Sequence, residues 1–103
     1  MTKKIKIDVT ARDIISGKRG QCSECPIAIA ASRKLKTRMT VGVAGMQPMA
    51  FSWPTIKLEA CAVGFVREFD KGQDVKPFQF TIEIKDFKGF EKKREIFKLV
   101  IGT

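Results

Sequence analysis

The sequence contains no histidine. That absence removes the commonest general base near neutral pH and the commonest metal ligand. It excludes a Ser-His-Asp set and a zinc-protease helix of the H-E-x-x-H type. Tyrosine is also absent and tryptophan occurs once, so eight phenylalanines carry almost all the aromatic content. No apolar run approaches the roughly 18 residues that a membrane-crossing helix needs. Internal repeats and low-complexity linkers are missing as well. The 103 residues therefore read as a single domain, a size at which about two thirds of the unfolded surface is buried on folding.

Cysteine is scarce and odd in number, three in all. A secreted disulfide framework would use an even set, so reduced thiols in a cytoplasm are expected. The opening stretch MTKKIKIDVT alternates rather than running greasy, and it reads as a strand, not a leader peptide.

Charge is what the chain has in excess. Twenty Lys and Arg stand against eleven Asp and Glu, a net +9. Residues 1–50 hold ten basic and three acidic side chains, or +7, whereas residues 51–103 hold ten and eight, or +2. A field of one sign on one half attracts an anionic partner. The expected partners are nucleic acid, an anionic nucleotide or an acidic protein, with no membrane.

Ile5, Ile7 and Val9 alternate with Lys4, Lys6 and Asp8, which predicts a half-buried strand over 4–10. Thr10 and Asp13 have the spacing of a capping box for a short helix, and Ser16-Gly17 ends it. Pro26 suits a first helical position with Cys25 as N-cap. Ile27, Ala31 and Leu35 recur at four-residue spacing, predicting a helix over 26–36. A strand is expected over Arg38–Gly45, with a second strand or irregular return over Met46–Trp53. Pro54 is expected to open a second helix with Leu58, Cys61, Ala62, Phe65 and Phe69 on one face, stopped at Gly72.

The end reads as a hairpin. Phe78, Phe80, Ile82 and Ile84 alternate, DFKGFEKK turns the chain, and Phe97, Leu99 and Ile101 alternate in a last strand. The pattern leaves open whether that strand completes the sheet within the chain or across a dimer. The predicted class is α+β: one domain over 1–103, a mostly antiparallel sheet, about two helices and a C-terminal β-hairpin.

The stretch GKRGQCSECPIAIAAS draws most attention. Cys22 and Cys25 have C-x-x-C spacing, half of a zinc site. Cys61 is the only other thiol and sits in an apolar pattern, so ligand count makes metal a weak reading. A redox pair is equally weak, because Cys25 rather than Cys22 starts the helix. Both thiols are expected to be structural, with no cofactor. Gly17 and Gly20 flank Lys18 and Arg19 without forming a phosphate-binding G-x-x-x-x-G-K-[ST] loop. Glycine-flanked cations before a helix N-terminus could still hold an anion. The expected binding residues are thus Lys18, Arg19, Arg33, Lys34, Lys36 and Arg38. Of these, Arg33, Lys34 and Lys36 have a competing role as cations at a helix C-terminus. Lys92, Lys93 and Arg94, beside Phe87 and Phe90, form a second basic tip that could stack bases and meet phosphates. Trp53 reads as a core anchor. No constellation for catalysis is present, so an enzyme is not expected.

Asp13, Ile14 and Gly17, followed by Cys25-Pro26-Ile27-Ala28 and Ala30, resemble a D-I-x-x-G … C-P-[IV]-A-x-A pattern of small uncharacterised phage and bacterial proteins. Val66, Phe69, Asp70, Gly72, Val75, Pro77, Phe78 and Phe80 resemble the later V-x-x-F-D-x-G-x-x-V-x-P-F-x-F of the same set. The resemblance spans roughly residues 5–84 and leaves 86–103 as an extension. It implies a phage or prophage accessory protein acting in a host cytoplasm. Blocking a host factor, a nucleic acid or a nucleotide signal is the kind of role it implies. No functional residues carry over from it.

Overall fold

The computed structural model describes residues 2–42 and 45–100, with side chains described as far as Phe97. The two ends of the pattern-rich sequence meet first. Strand β1 (Lys3–Val9) pairs antiparallel with a strand over Phe78–Ile84, placing Ile5 opposite Ile82 and Ile7 opposite Phe80. Side chains of a strand alternate between faces. Ile5, Ile7, Val9, Phe80, Ile82 and Ile84 are buried on one face, and Lys4, Lys6, Asp8, Gln79 and Glu83 are exposed on the other.

Helix α1 (Ala11–Ser16) starts at the capping box read from the sequence. The Asp13 N–H donates to Thr10 Oγ1 (3.2 Å) and the Thr10 N–H donates to Asp13 Oδ2 (2.9 Å). Helix α2 (Pro26–Leu35) also begins as expected, with Pro26 in its first turn and Cys25 as N-cap. Its buried stripe is Ile27, Ala28, Ala30, Ala31 and Leu35, which packs under β1. Lys36 ends it in the left-handed conformation (φ 56°).

Strands β2 (Met39–Val41) and β3 (Met46–Pro48) form a separate antiparallel ribbon; of the strand expected over 38–45, residues 39–41 are strand and residues 43 and 44 lie outside the described residues. Helix α3 spans Ala60–Asp70. Strand β4 is Phe78–Ile84, and helix α4 spans Phe87–Val100. The class is α+β as expected. It has four helices among the described residues rather than two, and two small sheets rather than one.

Two expectations are corrected. The helix expected from Pro54 starts at Ala60 instead. Residues before it are extended because Ile56 exchanges both backbone hydrogen bonds with Met46, each at 2.8 Å. Gly45 lies so close to the Ile56 carbonyl that a Cβ there would collide with it. Ile56 and Leu58 are buried from this extended segment, while Cys61, expected on the apolar face, is exposed.

The C-terminal hairpin is the second correction, because residues 87–100 are helical. Asp86 accepts the Gly89 N–H on Oδ1 (3.2 Å) and the Phe90 N–H on its carbonyl (3.1 Å), which starts the first turn. Phe87, Phe90 and Phe97 recur at three and seven residues, one helical stripe. Phe90 is fully buried, with ring centroids 5.3 Å from those of Phe51 and Trp53. Phe97 stacks on Phe51 at 5.8 Å. The burial available to this stripe overrides the period-two signal of Phe97, Leu99 and Ile101, the last of which lies outside the described residues. Trp53 is half-buried in the same aromatic cluster, an anchor as expected. Phe87, Phe90 and Phe97 thus tie the described part of α4 to the core. No helix among the described residues is long and apolar enough to cross a membrane.

Candidate anion-binding groove

The alternation that buries Ile5 and Ile7 leaves Lys4 and Lys6 on the open face of β1. Ladder geometry adds a second consequence. In an antiparallel pair, the backbone groups of alternate residues point toward the partner strand and away from it. Arg33 Nη2 donates to the Asp8 carbonyl (3.1 Å), so the carbonyl of Asp8 faces away from β4. Across the ladder, the Thr81 N–H donates to Glu59 Oε1, so Thr81, opposite Lys6, also faces away from its partner. Both observations give one parity. The backbone groups of Lys4, Lys6 and Asp8 point out from the free edge of β1.

The C-terminal half of α2 and the first turns of α4 flank that edge. A cavity of about 240 Å³ is lined by Lys3, Lys4, Ile5 and Lys6 from β1, Lys34 and Leu35 from α2, and Phe87 and Arg94 from α4. A second, of about 520 Å³, is lined by Asp8, Thr10, Ala30, Arg33, Lys34 and Lys36. Lys34 lines both, so the two adjoin along β1 and are treated together as one groove. Its lining holds seven cations and a single acid, Asp8.

These cations are not equivalent. Arg33 binds the buried Asp13 carboxylate through Nη1 (2.7 Å) and Nη2 (2.9 Å). The guanidinium holds the Asp13 carboxyl below its usual range despite burial, and the carboxylate raises Arg33 in turn. Arg33 therefore joins α1 to α2 and stiffens the groove wall. Arg94 donates to the Leu35 carbonyl (3.0 Å) and lies 3.6 Å from Glu91 and 3.7 Å from Glu95. Lys4 sits 3.8 Å from Glu83 on the exposed sheet face. Among the described residues, Lys3, Lys6, Lys34 and Lys36 have no acidic partner. The Lys3 ammonium lies 4.5 Å over the Phe87 ring, a cation–π contact at the groove end.

The binding residues expected from the sequence divide between two places. Arg33, Lys34 and Lys36 line the groove. Lys18 and Arg19 lie at the opposite end of α2, whose ten residues span about 15 Å. Lys18 pairs with Glu24 (3.8 Å), Arg19 lies against Gly72, and the Gly20 N–H donates to Asp70 (3.1 Å). The helix start they precede is closed, with Cys25, Pro26, Ile27 and Ala28 buried. A Cβ on Gly17 would sit 2.6 Å from the Pro26 ring, so this loop packs on the helix end. The N–H groups of Gly17, Lys18 and Gly20 already donate to Asp13, Glu24 and Asp70. Arg38 is exposed beside β2, outside the groove lining. Lys92, Lys93 and Arg94 lie on a helix rather than a loop tip, and consecutive helical residues do not share a face. Lys93 reaches the Ser52 carbonyl (3.3 Å) and lies 5.7 Å from the Trp53 ring centre. Only Arg94 of the three reaches the groove.

The thiols divide similarly. Cys25 is buried and its Sγ accepts the Ala28 N–H at 3.4 Å, while Cys22 is exposed. Burial pushes the Cys25 thiol up, away from a reactive thiolate. Among the described residues, no three Cys, Asp or Glu side chains gather as a metal-binding group.

Sequence reasoning missed Lys3, Lys4 and Lys6 as site residues. KIKI marks them as an exposed strand face, but the edge they occupy is set by a partner strand some 75 residues later in the chain. No family model, no curated protein and no solved structure matches this chain.

Proposed function

We propose that this chain is a non-catalytic binding module that takes an anionic partner into the groove along β1. The observation that carries this reading is the facing of Lys3 and Lys6 by Lys34 and Lys36 with one acid, Asp8, in the lining. Lysines without ionic partners leave a positive potential that an incoming array of negative groups would neutralise. Charge asymmetry alone points first to a phosphate-bearing partner, nucleic acid or nucleotide. The groove floor favours the other source of negative charge, an acidic protein. The outward edge of β1 offers N–H and C=O groups in alternation, a set that an extended peptide can pair with throughout, whereas a phosphate can use only the N–H groups. We adopt the acidic protein. The resemblance to small phage proteins supports an accessory role of this kind, docking a host protein and blocking it in the host cytoplasm.

Anisotropy titrations with labelled poly-glutamate, oligothymidylate and a nucleotide, each across a salt series, test the reading. Poly-glutamate is expected to bind at low salt and to weaken as salt rises. The double variant Lys34→Glu, Lys36→Glu is expected to lose that binding. No binding of any anion at low salt, or an unaffected double variant, sinks the groove as a functional surface.

A further inference from the structure

We propose that the free edge of β1 accepts an extended acidic segment of a partner protein as an added strand. The inference rests on the groove reading above and specifies how the partner is held. The Asp8–Arg33 and Thr81–Glu59 hydrogen bonds independently fix the parity of the ladder. They direct the N–H and C=O groups of Lys4 and Lys6, with the N–H of Asp8, away from β4. Among the described residues, none of these groups meets a hydrogen-bonding partner, whereas the Asp8 carbonyl is already held by Arg33. The segment from Lys4 to Asp8 is roughly 17 Å long at strand rise, enough for about five residues of an added strand. The groove leaves that edge open.

Charge selects the occupant. Backbone pairing on an exposed edge supplies affinity, and the neighbouring side chains supply specificity. A second copy of this chain would set β1 lysines against β1 lysines, the usual device by which edge strands avoid pairing with themselves. An acidic strand instead meets Lys4 and Lys6 beside it and Lys34 across the groove. Alternating acidic residues suit the site best, because one face of the added strand would continue the lysine face of β1.

The probe is a capped heptapeptide, Glu-Val-Glu-Val-Glu-Val-Glu, titrated into the full chain at low salt. Hydrogen exchange at the Lys4 and Lys6 amides is followed by NMR. Binding is expected to slow exchange at both amides about tenfold or more. The same peptide N-methylated at every glutamate keeps its charge but loses those donors, and it is expected to bind at least tenfold more weakly. Lys6→Pro removes an outward donor without touching the ladder to β4 and is expected to weaken the peptide similarly. The methylated ligand gives the answer even if that variant does not fold.

Equal affinity of the methylated peptide, or unprotected Lys4 and Lys6 amides, would overturn strand addition and leave a groove that binds by charge alone. Binding of oligothymidylate without binding of the peptide would overturn it too, and assign the groove to phosphate. Failure of both probes removes the groove reading along with it.

Discussion

Asp13 and Arg33 meet through two hydrogen bonds, 2.7 Å and 2.9 Å, with the carboxylate only 2% exposed. The same carboxylate closes the capping box of α1, so one side chain fixes a helix start and a helix–helix contact. Its carboxyl is held below the usual range, first by Arg33. The unfolded chain thus binds this proton at higher pH than the folded one. The stabilisation is complete above an unfolded value of about 3.9 and fades as pH falls below it toward the folded value. Melting temperature from pH 7 to pH 2.5 is expected to drop in that window. Asp13→Asn should flatten the drop and cost about 1–3 kcal/mol at pH 7. A variant with the wild-type acid limb would show that Asp13 is not the group responsible.

Phe90→Ala is expected to destabilise the fold by about 3–5 kcal/mol, the usual range for emptying a fully buried aromatic site. Denaturant midpoints measure it. An effect below about 1 kcal/mol would mean that α4 does not pack on Phe51 and Trp53 in solution.

Charge reversal separates the two ends of α2. Lys34→Glu with Lys36→Glu should abolish poly-glutamate binding, and Lys18→Glu with Arg19→Glu should change it less than about threefold, since Lys18 and Arg19 lie outside the groove lining. Equal losses from both pairs would point to net charge rather than the groove.

Thiol reactivity should follow burial. A thiol-specific reagent is expected to label Cys22 and Cys61 quickly and Cys25 only on unfolding. Cys25→Ala removes the cap to the Ala28 N–H and should cost about 1 kcal/mol, with Cys25→Ser recovering part of it. Cys22→Ser should leave the unfolding midpoint unchanged.

Local signals carried much of the fold. Alternation in KIKIDV, the Thr10–Asp13 spacing and Pro26 after Cys25 each determine an element from adjacent residues, and β1, α1 and α2 follow. The start of α3 was not legible, because Ile56 is held extended by Met46, a contact that no window around Pro54 contains. In α4 two periods overlap. Phe87, Phe90 and Phe97 suit a helix while Phe97, Leu99 and Ile101 suit a strand, and the pocket made by Phe51 and Trp53 decides between them. The site was legible in the same measure. Lys34 and Lys36 were visible as a helix end, but the edge bearing Lys4 and Lys6 exists only once β4 takes the other side of β1.

That pairing of β1 with β4 also sets an order of events during synthesis. The first strand leaves the ribosome long before Phe78–Ile84 exists to pair with it. Until then both of its edges are open, and Ile5 and Ile7 have only nascent α2 to cover them. Closing so long a loop is entropically costly and slow. Charge on an edge strand disfavours its pairing with a like strand, and Lys4 and Lys6 carry that charge on β1 before β4 is made.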